Sequence, residues 1–162
     1  MRQLPRRAMV ASNRKSRGYL RDGRAPLPTS EMISKVMRAN KGKGTSIEMT
    51  LRKAIWRSGI RGYRVNLKSL PGRPDIAFTR SKLAIFVNGC FWHRCPRCKP
   101  NLPKTHTAFW NEKFERNKAR DLKNLEDLNL LGWRTLTIWE CEIRSDLESV
   151  VRRVEETLDG MR

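Results

Sequence analysis

The stretch Ser69-Leu70-Pro71-Gly72-Arg73-Pro74-Asp75-Ile76-Ala77-Phe78-Thr79, continued after Arg80-Ser81-Lys82 by Leu83-Ala84-Ile85-Phe86-Val87, decides the fold. Residues 75–79 and 83–87 are rich in β-formers, and the short link between them predicts a hairpin. Upstream, Tyr63 to Leu67 alternates apolar and polar residues as a half-buried strand does. Three strands are therefore expected in succession.

Helical periodicity brackets them. Ser30 as N-cap, Glu31 in the first turn, and then Ile33, Val36 and Met37 predict a helix over 31–40, broken by Gly42 and Gly44. Thr45-Ser46-Ile47-Glu48 has the spacing of a capping box, and Ile47, Leu51 and Ile55 give the apolar stripe of a helix over 46–58, ended by Gly59. After a cysteine-rich loop at 89–104, Phe114, Leu122, Leu125 and Leu128 predict one face of a long charged helix that Gly132 terminates. A strand over 134–139 and a closing amphipathic helix bearing Leu147, Val150, Val151, Val154 and Leu158 complete the order α-α-β-β-β-α-β-α. That pattern is an α/β fold with a mixed sheet.

The chain has 162 residues, 35 Lys+Arg against 16 Asp+Glu, and a net charge of +19. Residues 1–28 hold eight of the cations and one acid, with few apolar residues, and are expected to be a flexible basic arm. The arm accounts for +7, leaving +12 on residues 29–162, which are expected to form one domain. A polyanion is the natural partner of such a charge, because neutralising phosphates releases condensed counterions. The longest apolar runs are strand-sized, against the ~20 residues of a membrane span, and no apolar segment of a secretory signal follows the N-terminal arginines. A cytoplasmic, reducing location is expected, with no membrane association.

In that setting Cys90, Cys95, Cys98 and Cys141 point to a metal site or free thiols before disulfides. Cys95-Pro96-Arg97-Cys98 is a CxxC, and Cys141 lies just beyond a predicted strand, so the four suit tetrahedral Zn2+. Buried thiols, a redox CxxC, or His93 replacing one cysteine are the alternatives. A closed four-thiolate site has no open position, which assigns that zinc to folding and leaves chemistry elsewhere.

Asp75 follows two prolines at the start of a predicted strand, where it is either a turn residue or a ligand for a hard cation such as Mg2+. Glu48 is either the capping-box acid or a second carboxylate facing that metal. His93, between Trp92 and Arg94, is a candidate general base.

Ser69 to Asp75, then Ile85-Phe86-Val87-Asn88-Gly89-Cys90-Phe91-Trp92-His93, then Phe109-Trp110 and Trp139-Glu140-Cys141 resemble, in order and spacing, the very-short-patch repair (Vsr) DNA mismatch endonucleases. The similarity covers about residues 30–145. It implies a restriction-endonuclease-like fold with a structural Zn2+. It also implies Mg2+-dependent nicking of one strand on the 5′ side of the mispaired thymine in a T:G mismatch. The resemblance assigns the Mg2+ to Asp75 and to the main-chain carbonyl of Val87, puts Glu48 near the metal-bound waters, and gives Cys90, Cys95, Cys98 and Cys141 to zinc. Where such enzymes usually carry a histidine this chain has Asn88, which cannot accept a proton from water at neutral pH but can orient a water or phosphate through its amide. Proton transfer then falls to His93.

Composition alone would put Phe91 and Trp110 in the core. The resemblance instead makes Phe91, Trp92 and Trp110 wedges that unstack a mismatched step, while Trp56, Trp133 and Trp139 keep the core reading. Lys113, Asn117 and Asp121 share one face of the long helix, either presented to DNA or merely solvated. Met37 and Arg38 are expected to approach the opposite groove. The expected partner is mismatched duplex DNA, the expected state a monomer associated with the nucleoid, with a functional link to a cytosine-5 methyltransferase and to mismatch-repair proteins. Asn88 leaves two rivals open: a nickase with a different or relaxed preference, and a catalytically weak protein that binds distorted DNA.

Overall fold

The computed structural model describes residues 31, 32, 34, 35 and 44–160. The chain divides into two units, residues 1–38 and 39–162. In the first, Glu31, Met32, Ser34 and Lys35 are helical, with Lys35 and Glu31 3.4 Å apart. The expected arm at 1–28, the remainder of the helix expected over 31–40, and Met37 and Arg38 lie outside the described residues.

The second unit runs α1 (Ser46–Arg57), β1 (Tyr63–Val65), β2 (Ile76–Phe78), β3 (Leu83–Asn88), α2 (Thr107–Leu130), β4 (Arg134–Trp139), α3 (Glu140–Ser145) and α4 (Leu147–Asp159). The sheet order is β1-β2-β3-β4, antiparallel across the first two pairs and parallel between β3 and β4. The hairpin expected at residues 80–82 joins β2 to β3, and α2 is the crossover that a parallel β3–β4 pair requires. β1 is shorter than expected because Asn66 turns into the left-handed region at φ 48°.

Period-two alternation sorts the sheet into two faces. Ile76, Phe78, Leu83, Ile85 and Ile138 join Leu51 and Ile55 of α1, Ile143 of α3, and Val150, Val151 and Val154 of α4 in one core. On the other face the paired Ala77 and Ala84 are buried without bulk, next in parity to Asp75, Phe86 and Thr137. Every large aliphatic lost from such a core costs about 2–5 kcal/mol, so this layer holds the strand ends in place.

Three expectations are corrected. α3 was not foreseen: Glu142 Oε2 accepts the Trp139 N–H at 2.8 Å, and this side-chain cap starts a helix directly at the end of β4. Leu122 is 61% exposed, since eight residues carry it about 80° round the helix from Phe114. Trp56 is 56% exposed, one position and about 100° beyond the buried Ile55. Trp133 and Trp139 are half-buried.

Candidate active site and cysteine cluster

A cleft of about 960 Å3 opens where β3 and β4 end and β2 begins, bordered by the start of α1 and the middle of α2. Asp75, Glu48, Val87, Asn88 and His93 all line it. Asp75 is held by the segment before it: Gly72 at φ 69° and Arg73 at φ 50° turn the chain through two successive left-handed residues. Gly72 is required there twice over, since a Cβ would lie 2.9 Å from the Asn124 side chain of α2. Strain at a non-glycine residue in this region is of the kind stored at functional sites.

Asp75 Oδ2 accepts the Val87 N–H at 2.7 Å, which fixes the carboxylate against the end of β3. Its pKa is pushed up to about 6: burial raises it, the Val87 N–H offsets part of that, nearby Glu48 raises it again and His93 lowers it. A cation would relieve both raising causes together.

Glu48 is 6% exposed and forms the expected capping box. Oε2 accepts the Gly44 N–H at 2.8 Å, and Oε1 accepts the Thr45 N–H at 3.2 Å and its hydroxyl at 2.9 Å. The capping-box reading of this residue is seen directly, and its capped carboxylate also acts on Asp75 through space.

His93 Nδ1 shares a short hydrogen bond with Asp121 Oδ2. Asn117 Nδ2 donates to the Trp92 carbonyl at 3.0 Å, and Lys113 Nζ lies 5.2 Å from the Trp92 ring centroid. The helix face read as a DNA contact thus holds the loop 91–93 at every step. The His93–Asp121 pair was missed by sequence reasoning; the signal was the shared phase of Asn117 and Asp121, with no way to see which loop met it.

The four cysteine Sγ atoms lie within 4.8 Å of one another. Cys95 and Cys141 are 3.7 Å apart, against about 3.8 Å between sulfurs of a tetrahedron with 2.3 Å metal–sulfur bonds. The donor set fits a zinc ion, and His93, engaged by Asp121, is not part of it. The Cys141 N–H points at Cys90 Sγ from 3.3 Å, and Arg97 and Arg153 both pair with the buried Glu142, tying this loop to α3 and α4. Burial pushes the Cys90 and Cys141 thiols up; at Cys95 burial acts likewise but is outweighed, the amides of Cys98 and Arg97 bringing that thiol below its usual range.

Between the two sites sits an aromatic cluster. Phe91 packs edge-on against Trp92, Trp110 and Phe114 at centroid distances of 5.1, 5.6 and 5.3 Å. Trp110 is 8% exposed, whereas Phe91 and Trp92 reach the surface in part. Among the described residues no helix is long and apolar enough to cross a membrane.

Residues 27–99 match the family model described as DNA mismatch endonuclease Vsr. The DNA mismatch endonuclease Vsr of Escherichia coli is 39% identical over 131 residues, spanning 78% of this chain and 83% of that protein. The type II nicking enzyme V.NmeAIP of Neisseria meningitidis is 36% identical over 136 residues, spanning 82% of this chain and 96% of that protein. V.NaeI of Lentzea aerocolonigenes, also a type II nicking enzyme, is 38% identical over 141 residues, 84% of this chain and 82% of its own. With its mixed sheet in the restriction-endonuclease-like class, the chain is an endonuclease that belongs to the Vsr family.

Proposed function

We propose that this endonuclease nicks one strand of duplex DNA on the 5′ side of the mispaired thymine in a T:G mismatch, with Mg2+ as cofactor. The observation that carries the reading is the convergence of Asp75, Glu48 and the His93–Asp121 pair on one cleft edged by Arg73, Lys113 and Arg120. A carboxylate whose pKa is kept high by burial, and further by a second acid, suits a hard divalent ion; Asp75 and the Val87 carbonyl would hold it, with Glu48 facing it. Bound there, Mg2+ supplies positive charge to the attacked phosphate and to the leaving oxygen.

The chain's own groups do the rest. Asp121 fixes His93 through Nδ1, leaving Nε2 to take a proton from the attacking water. The water oxygen bonds to phosphorus as the P–O bond to the leaving strand end breaks. Asn88 orients that water or a phosphate oxygen through its amide. Phe91, Trp92 and Trp110 serve as the wedge at the mismatched step, Trp110 once its ring contacts open; Lys113, Asn117 and Asp121 back the loop they hold toward the DNA, and Met37 and Arg38 approach from the other groove. Cys90, Cys95, Cys98 and Cys141 would hold a structural Zn2+. The protein works as a monomer at sites left by a cytosine-5 methyltransferase, feeding mismatch repair.

The test is nicking of end-labelled duplexes, T:G and fully paired, with Mg2+ or EDTA, by the wild type and Asp75→Ala. Cleavage of the thymine strand alone, lost on chelation and lost by about 10^3-fold or more in the variant, is expected. Full activity of Asp75→Ala overturns the mechanism. Cleavage of other mismatches in preference to T:G would favour the reading in which Asn88 marks an altered substrate, and binding without cleavage the reading of a distorted-DNA binder.

A further inference from the structure

From Met49 to Pro74 the chain contains seven Lys/Arg (Arg52, Lys53, Arg57, Arg61, Arg64, Lys68 and Arg73) and no acid. None of the seven makes an ion pair among the described residues, whereas cations of α2, α3 and α4 do. In the middle of this stretch lies a slot of about 240 Å3, lined by Met49, Arg52, Lys53, Trp56, Arg57 and Tyr63. Its walls are a thioether, an indole and a phenol ring, and its rim is three cations.

The slot is built. Arg61 donates to the Trp56 carbonyl and lays its guanidinium 3.7 Å from the indole centroid, yet it does not line the slot, so it braces the ring from elsewhere. Tyr63 packs edge-on to Phe78 at 5.7 Å, anchoring the second ring to the core. Arg52 lines the slot and has a buried Nε with no acceptor in the structure. An orphaned buried donor of this kind destabilises the fold until something accepts from it.

Glu48, Arg52 and Trp56 stand at i, i+4 and i+8 of α1, winding about 80° round the helix from the buried acid in the nicking cleft to the exposed indole at the slot. Eight residues of helix span about 12 Å, the length of three to four stacked nucleotides at about 3.4 Å each and of fewer where the strand is unstacked.

We propose that this slot is a second DNA site, one that takes an unpaired nucleotide of the strand leaving the cleft, its base against Trp56 and Tyr63 and its phosphates on Lys53, Arg57 and the Arg52 guanidinium. Flat rings give a base a sequence-tolerant platform, and only an unstacked base can use it; a stacked duplex presents phosphates to such a surface but not ring faces. The charge excludes an acidic-poor or basic protein segment and matches a polyanion. The inference rests on the chain acting on DNA, though not on which mismatch it cuts.

Anisotropy of a fluorescein-labelled oligothymidylate of about twelve nucleotides, titrated with the full chain, tests it. Trp56→Ala should weaken binding about tenfold, Trp56→Phe by less than about threefold, and the Lys53→Ala/Arg57→Ala pair should flatten the salt dependence. Nicking of the T:G duplex by the same preparations is the control for folding, because none of these residues lies in the catalytic cleft. Unchanged oligothymidylate binding by Trp56→Ala overturns the proposal, as does a loss confined to the charge variant, which would mean a plain electrostatic surface. A change in self-association with binding intact overturns it in favour of a protein interface. If the wild type nicks nothing yet the Trp56 effect on the oligonucleotide holds, the mismatch reading fails and this one stands.

Discussion

Val87 and Asn88 end β3 in the cleft, and Cys90, two residues on, begins the cysteine cluster, so two sites share one strand end. Their carboxylates Asp75 and Glu142 are satisfied in opposite ways. In the cleft a buried carboxylate is left with a pKa near 6, against one amide and a neighbouring acid. In the cluster, four sulfurs converge on one point, and the adjoining carboxylate of Glu142 is saturated by two arginines and an amide. A site kept unsatisfied is ready for a ligand that comes and goes with the reaction, while a saturated one becomes part of the fold.

The largest disturbance comes from the saturated site. Cys141→Ser should drop bound zinc from about one per chain toward none and destabilise the protein by several kcal/mol, read by metal analysis and chemical denaturation. An active, equally stable variant would break the contrast. Next in size, His93→Ala should lower the nicking rate by about 10^2–10^4-fold with little change in stability. Asp121→Asn should lose less and displace the pH profile, the signature of a residue that positions another.

The smallest effect sharpens the other half of the comparison. A carboxyl raised to about 6 in the folded state, above about 3.9 unfolded, is neutral in both states at low pH and penalises folding progressively as pH rises from 4 to 6. Without divalent ions, Asp75→Asn should therefore stabilise the protein at pH 7.5, by at most about 3 kcal/mol, and leave it unchanged at pH 3. Mg2+ should raise the wild-type melting temperature at neutral pH and not that of the variant. A variant destabilised at pH 7.5 would show that the cleft is as saturated as the cluster.

The two sites were also unequally legible in the sequence. Three cysteines fall within nine residues, and the fourth is placed by strand pairing: Asn88 lies opposite Trp139, so Cys90 and Cys141 each follow a paired strand end by two residues. The strand over 134–139 was readable from β-propensity, and with it the cluster. The cleft was half-readable. Asp75 and Glu48 carry local signals, a proline-rich turn and a capping box, but His93 and Asp121 stand 28 residues apart on a loop and a helix, and only packing brings them together. Trp56 misled for a similar reason: an aromatic beside an apolar stripe reads as core, yet one helical step past Ile55 turns it out of the core.

The N-cap of α2 is His106, itself in the left-handed region at φ 54°, with no side-chain cap and no acid in the helix's first turn. The turn carrying Phe109 and Trp110 thus starts with free amides and an uncompensated dipole, the weakest beginning a helix can have. Fraying there is cheap. The Trp110 N–H bonds the His106 carbonyl at 3.1 Å, so its backbone stays in the helix while its ring is moored by neighbouring rings, and a competing stack of bases need only match those ring contacts to draw the indole out.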